Sequence, residues 1–102
     1  MPEGGLRITH PEPELLVTPD GGRCLRARWM SLPPGRWVGE HITAGKEEVL
    51  VIISGVAVLE ADGERHLLRA PAAAFIPEGT AHNVGNAGEG QLLYVYVTGR
   101  LA

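Results

Sequence analysis

Three side chains of this sequence, those of His41, Glu48 and His82, are of types that hold divalent metal ions in proteins. Each also has a purely structural interpretation. His82 could be a hydrogen-bonded histidine in a protein interior, and His41 could lie at a strand end in water. Glu48 could pair with an arginine such as Arg26 or Arg28. Residue type alone does not decide between a metal site and ordinary polar packing.

Two stretches of sequence surround these residues with a regular pattern. Residues 35–55 read Gly-x5-His-x-Thr-x4-Glu-x6-Gly, and residues 77–86 read Pro-x-Gly-x2-His-x3-Asn. In the second stretch a Pro-x-Gly turn directs the histidine into a strand. The patterns resemble the two signatures of the cupin family, and together they span about half of the chain. One residue departs from the family pattern, because Thr43 stands where cupins have the second histidine of His-x-His.

The resemblance implies a metal site inside a barrel, with His41, Glu48 and His82 as its ligands. Two histidines and a carboxylate leave metal positions open for a substrate or dioxygen, and iron, manganese, nickel or zinc would suit this set. Thr43 carries a neutral hydroxyl on a short side chain, which is a poor ligand and could instead hold a metal-bound water. A divalent metal ion is the expected cofactor, and a metal-free pocket is the alternative.

Three functions follow as hypotheses. The first is a metal-binding cupin that binds or transforms a small organic molecule, although members of the family are similar to dioxygenases, isomerases and decarboxylases alike. Fold and ligand set do not choose among these reactions, so the catalytic residues and enzymatic activity stay open. The second is a metal-free barrel that captures a small ligand, which Thr43 favours. The third is a structural or regulatory dimer.

The elements that must position these residues are short strands. Glycine occurs 14 times and proline 8 times in 102 residues, which is typical of short elements joined by turns. Asp62-Gly63 is a strong hairpin signal. Strand candidates are residues 25–29, 37–43, 48–53, 56–61, 65–69, 72–76, 80–84 and 91–98. This pattern predicts an all-β fold, and both strand closure and the cupin resemblance favour a jelly-roll β-barrel.

The length predicts a single domain. We expect residues 19–102 to form the barrel and residues 1–18, which are rich in proline, to form an extension. Within that extension only residues 15–17 could add an edge strand. His10 in the extension and His66 on a hairpin arm lie outside both signatures, and we expect both to face solvent.

Residues 48–53 are apolar at every position after Glu48, which indicates a strand buried on both faces. If Glu48 faces the barrel interior, alternation places Leu50 and Ile52 inside as well. The outward set then needs a second sheet or another subunit to cover it, and comprises Val49, Val51 and Ile53. A homodimer is therefore predicted. Glu47 should face away from the site.

Charge and cysteine content limit the partners and the compartment. Nine basic against twelve acidic residues give a net charge of −3, which offers no footprint for nucleic acid or an anionic membrane. No apolar run is long enough to span a bilayer. Cys24 is the only cysteine, which favours the reducing cytoplasm, and we expect it to be buried as a small hydrophobic residue. A small-molecule ligand is the expected partner besides a second copy.

Overall fold

The computed structural model describes residues 23–101, which form eight β-strands and no helix. Accordingly, none of these residues belongs to a helix that could cross a membrane. The strands are β1 (Leu25–Leu32), β2 (His41–Ile42), β3 (Lys46–Ser54), β4 (Val56–Ala61), β5 (Glu64–Arg69), β6 (Ala72–Ile76), β7 (Ala81–Asn86) and β8 (Leu92–Arg100).

The strands form two antiparallel four-stranded sheets. One sheet has the order β1-β8-β3-β6, and the other has the order β2-β7-β4-β5. β5 packs against β3 and β6, which joins the two sheets along one side. β1 and β2 are the edge strands at the opposite side of their sheets. This is the jelly-roll arrangement, so the predicted all-β jelly-roll fold is confirmed.

The core lies between the sheets and follows from strand alternation. On β3, Glu48, Leu50 and Ile52 are buried, whereas Val49 and Ile53 are exposed on the outer face. The predicted inward and outward sets of this strand are therefore confirmed. Residues of all the other strands that flank the centre complete the apolar cluster, namely Ala57, Leu59, Ile76, Val84, Leu92 and Tyr94.

Two glycine-dependent turns set the course of β4. The Asp62-Gly63 hairpin between β4 and β5 has positive φ at both residues, 51° and 84°, which confirms the predicted hairpin. Gly55, before β4, has a φ of 96°, and a Cβ there would lie 2.9 Å from the carbonyl oxygen of Gln91. Only glycine meets both demands at that bend.

Asn86, the last residue of the second sequence pattern, holds three loops together from inside the barrel. Its amide nitrogen donates to the carbonyls of Leu32 and Gly90, each at 2.8 Å, and its Oδ1 accepts from the N–H of Gly88 at 2.8 Å. The side chain is buried and its hydrogen-bonding capacity is largely used. Asn86 therefore shapes the backbone and does no chemistry.

The strand predicted over residues 37–43 is largely wrong. Only His41–Ile42 pair as a strand, and Trp37 forms a single bridge to Gly85. Gly39 has a φ of 118°, which breaks the extended course. The Trp37 ring also lies where a Cβ on Gly85 would be, within 2.6 Å, so this segment crosses β7 closely at one point.

Burial of Cys24 was also expected wrongly, since this residue is exposed just before β1 at the edge of its sheet. His66 is exposed as expected and lies 3.6 Å from Glu64. The extension over residues 1–18, its strand candidate and His10 lie outside the described residues. The domain boundary at residue 19 and the cytoplasmic location stay predictions.

Candidate metal centre

His82 enters the barrel interior from the turn that precedes β7. Gly79 in that turn has a φ of 79°, which the Pro-x-Gly pattern supplies. The His82 side chain is 0% exposed, and its Nδ1 lies 3.1 Å from the carbonyl oxygen of Thr80. Because a carbonyl only accepts, Nδ1 carries the hydrogen and donates it. Nε2 is left as the atom that faces the interior.

His41 lies directly opposite His82 in the antiparallel pair of β2 and β7. The ring centroids are 4.1 Å apart at an interplanar angle of 65°. Nδ1 of His41 donates to the carbonyl of Gly39 at 3.0 Å, so this ring too keeps its Nε2 for another partner. Unlike His82, His41 is exposed. The pair therefore reaches from the buried interior to the sheet edge.

Asn83 supports the loop that orients His41, and sequence patterns gave no sign of this role. Its Oδ1 accepts the N–H of Gly39 at 2.8 Å, across 44 residues of sequence. The carbonyl of the same Gly39 then accepts from His41. Hydrogen bonds of this kind fix the tautomer and ring direction of a metal-binding histidine.

Glu48 approaches from the other sheet. Its Oε1 lies 3.4 Å from Nε2 of His82, and both side chains are almost fully buried. One ligand atom from each of His41, Glu48 and His82 lies within 4.8 Å of the others. Ligands about 2.1 Å from a common ion lie roughly 3–3.5 Å from each other, so small side-chain adjustments suffice for all three to share one ion.

The electrostatics of the pocket suit a cation. Burial raises the pKa of the Glu48 carboxyl above its ordinary value of 4.5, although His82, His41 and Lys46 oppose the rise. Burial and the charge of Glu48 also raise the pKa of the Tyr94 hydroxyl. Nε2 of His82 is buried without a hydrogen-bond partner. An unpartnered nitrogen beside a desolvated carboxylate is costly, and a divalent ion between them would relieve both.

Thr43 turns its hydroxyl toward the backbone of the neighbouring turn. The side chain is fully buried, its Oγ1 donates to the carbonyl of Pro77 at 2.6 Å, and it accepts from the N–H of Thr80 at 3.1 Å. We call this arrangement the Thr43 clip. The single hydroxyl hydrogen is committed to the Pro77 carbonyl and is not available to a metal-bound water.

The remaining charged candidates lie apart from the cluster. Glu47 is exposed, as strand alternation predicts. Among residues 23–101, the salt-bridge partner of Glu48 is His82, and neither Arg26 nor Arg28 pairs with it. The structural interpretation of Glu48 as an arginine partner is therefore wrong in this part of the chain.

Comparison with known proteins identifies relatives of the same architecture. An oxalate-binding protein of Thermotoga maritima is 32% identical over 68 residues, which are 67% of this chain and 56% of that protein. A T. maritima structure described as a predicted oxalate decarboxylase has a TM-score of 0.72 at 30% identity, covering 74% of this chain and 66% of that one. The chain thus spans little more than half the length of its curated relative.

A cupin protein of Bacteroides fragilis matches the fold more completely, with a TM-score of 0.81 at 18% identity over 93% of this chain and 83% of that one. The family model of the cupin domain (Cupin_2) matches residues 28–98, a region that contains both sequence patterns and all three clustered side chains. With the jelly-roll sheet order already described, this match shows that the chain belongs to the cupin family.

Proposed function

We propose that this protein binds one divalent metal ion through His41, Glu48 and His82 and that a small carboxylate binds at the open metal positions. The observation that carries the proposal is the buried, unpartnered Nε2 of His82, which lies 3.4 Å from the Glu48 carboxylate. Unsatisfied buried polar atoms are rare in proteins, and at functional sites they await a ligand.

The protein residues around the ion have distinct roles in this proposal. Backbone carbonyls of Gly39 and Thr80 hold the two Nδ1 hydrogens, so both rings present Nε2 in the neutral form that binds metal. Glu48 supplies the single negative charge. When bound, the ion would supply Lewis-acid polarisation of a ligand oxygen.

A carboxylate fits the charge of such a site. A divalent cation with one carboxylate and two neutral imidazoles carries a net charge of +1, which attracts an anionic ligand in a buried pocket. The curated relative, with 32% identity, is named for binding oxalate. Oxalate is accordingly the first ligand to test.

A metal-free binding barrel is the second candidate, and one distance favours it. At 3.4 Å, a His82 protonated at Nε2 would form an ion pair with Glu48 and leave neither group without a partner. Thr43 removes the fourth ligand of the family's usual set, which also favours this alternative. The two candidates predict different metal contents for the purified protein.

The test is elemental analysis of untagged protein that has been purified without chelator, followed by titration with iron, manganese, nickel and zinc. We expect about one ion per chain in the wild type and none in His82→Ala. His66→Ala is the matched control, because this histidine is exposed on β5 and lies outside the cluster. Wild-type protein that stays empty after titration would overturn the metal proposal and favour the metal-free barrel.

The ligand is tested separately by titration calorimetry with oxalate. We expect binding to metal-loaded protein and loss of that binding when the metal is removed. Equal oxalate affinity with and without metal would show that the carboxylate does not bind at the ion.

We also propose that the protein is a homodimer. Phe75 is 60% exposed and pairs in register with Val49, and Ile53 lies on the same outer face of β3. This apolar face is the surface that a second copy would cover. Sedimentation analysis at micromolar concentration should give the dimer mass for the wild type and the monomer mass for Phe75→Lys. A monomeric wild type would contradict the proposal.

A further inference from the structure

A cationic cavity lies at one end of the barrel, beside the proposed metal centre. Its volume is about 800 Å³, and four basic side chains line it, those of Arg23, Arg26, Lys46 and Arg100. No acidic residue of the described part of the chain lines it. We call this feature the basic cavity. A concentration of positive charge without counter-charge is the chemistry of an anion site.

The register of the first sheet connects the basic cavity to the metal centre. Thr98, which lines the cavity, is the register partner of Glu48, and Arg26 is the register partner of Thr98. These three residues form one row across β3, β8 and β1. Neighbouring strands are about 4.8 Å apart, so the Arg26 backbone lies roughly 10 Å from that of Glu48.

Lys46 approaches the centre along the strand. It precedes Glu48 by two residues on β3, so both side chains project from the same face, about 7 Å apart along the backbone. No described residue forms a salt bridge with Lys46 or Arg26. Both long side chains therefore present their charges to the cavity.

The size of the basic cavity exceeds what oxalate needs. Cavities of about 300–1,000 Å³ hold ligands of drug-like size. Oxalate has two directly joined carboxylates and six heavy atoms, so it cannot reach both the metal centre and cations several ångströms away. A longer anion with separated acidic groups can bridge the two positions.

We propose that the basic cavity is an anion subsite for the distal acidic group of a small organic dianion whose other end binds at the metal centre. This inference rests on the proposed function, because the proximal group needs the ion. The ligand class is therefore extended dicarboxylates or phosphorylated carboxylates, both of which offer the oxyanions that arginine and lysine bind.

The test compares ligands of different length on variants of the cavity. Titration calorimetry on metal-loaded protein uses oxalate, glutarate and 3-phosphonopropionate, with the metal content measured before each titration. Arg26→Gln and Lys46→Gln remove cavity charges. Arg69→Gln is the matched control, because Arg69 is exposed on β5 in the other sheet.

We expect each cavity variant to weaken glutarate or 3-phosphonopropionate by roughly 10-fold, the effect of one lost charge-assisted hydrogen bond, and oxalate by less than about 2-fold. Greater loss for the phosphonate would assign a phosphate as the distal group, and greater loss for glutarate a carboxylate. Equal loss for all three ligands, or no loss for any, would overturn the subsite.

Failure of the metal proposal gives a different result. Protein that binds no metal would still bind inorganic pyrophosphate in the basic cavity, and Arg26→Gln would weaken that binding while Arg69→Gln would not. Pyrophosphate that fails to bind to the metal-free wild type would overturn the anion subsite itself.

Discussion

Two buried polar clusters lie on adjoining parts of the same barrel and differ in how completely they are satisfied. In the Thr43 clip, one hydroxyl both donates to Pro77 and accepts from Thr80, and no polar atom of the side chain lacks a partner. Around Glu48 and His82, a carboxylate is desolvated and a ring nitrogen has no hydrogen-bond partner. The fold is held by the first cluster and strained by the second.

This difference shows how the family's ligand position has been reassigned. Thr43 replaces a histidine that would face the ion, and its hydroxyl now joins the end of β2 to the turn before β7. The backbone strengthens the same link, because the N–H of Gly79 donates to the carbonyl of Thr43 at 2.9 Å. A ligand has been exchanged for a structural contact that keeps His41 and His82 in register.

The sharpest way to break the comparison is Glu48→Gln, which should act in opposite directions on metal and fold. Loss of the only anionic ligand should weaken metal binding more than about 100-fold, beyond the 10–100-fold that outer-shell changes cause. The same change removes a desolvated charge, so the metal-free protein should gain on the order of 1 kcal/mol of stability. Metal titration and urea unfolding measure the two effects.

Glu47→Gln is the control for that pair of measurements, because Glu47 is the exposed neighbour on the same strand. It should change neither quantity. A metal-free Glu48→Gln protein that is less stable than wild type would show that the carboxylate supports the fold, contrary to the comparison.

Thr43→Val should break the satisfied cluster and reveal a structural role. The substitution keeps the shape but leaves the Thr80 N–H and the Pro77 carbonyl buried without their partner, at a cost of about 2–3 kcal/mol in the free energy of unfolding. Thr43→Ser keeps the hydroxyl and should lose less than half of that. Metal affinity of the folded Thr43→Val protein should change much less than in Glu48→Gln, and a comparable loss would make Thr43 a ligand.

Asn83→Ala tests the outer support of His41 and should have a smaller effect. Without the Asn83 Oδ1 acceptor, the Gly39 loop loses its anchor and the His41 ring its fixed direction. We expect about 10-fold weaker metal binding, within the range for second-shell partners, with a change in stability below about 1 kcal/mol. Asn83→Asp retains an acceptor oxygen and should restore most of the affinity, whereas equal loss in both variants would deny the positioning role.

The smallest expected effect is a reversal of pH dependence on metal loading. Because burial raises the pKa of Glu48 above 4.5, the folded metal-free protein holds this proton more tightly than the unfolded chain does. Stability from this group is present below pH 4.5 and is lost as the pH rises through the raised pKa. Metal-loaded protein should show the opposite trend, since protons compete with the ion as the pH falls. Melting temperatures against pH, with Glu48→Gln as reference, measure both trends.

Much of the fold followed from local sequence. The alternation along β3, the Asp62-Gly63 hairpin and the ends of β4 and β6 were predicted because strand period and turn chemistry depend on adjacent residues. The signature spacing also selected the three residues that the structure brings within 4.8 Å. Whether they bind metal is still a prediction.

The features that sequence patterns did not give depend on contacts between distant segments. The Thr43 hydroxyl meets Pro77 across 34 residues, and Asn83 meets Gly39 across 44. The close crossing of Trp37 over Gly85 likewise needs the packed sheet. No local period encodes such register, which is why the strand over residues 37–43 was overpredicted.

The two-residue length of β2 has a consequence for how fast the centre would exchange its ion. This strand is the edge of its sheet and carries His41, while Glu48 and His82 are anchored in longer, buried strands. Short edge segments open locally at a small fraction of the free energy of global unfolding. Release of the ion would therefore proceed through fraying of β2, and its rate would report the lifetime of that edge, while the rest of the barrel stays closed.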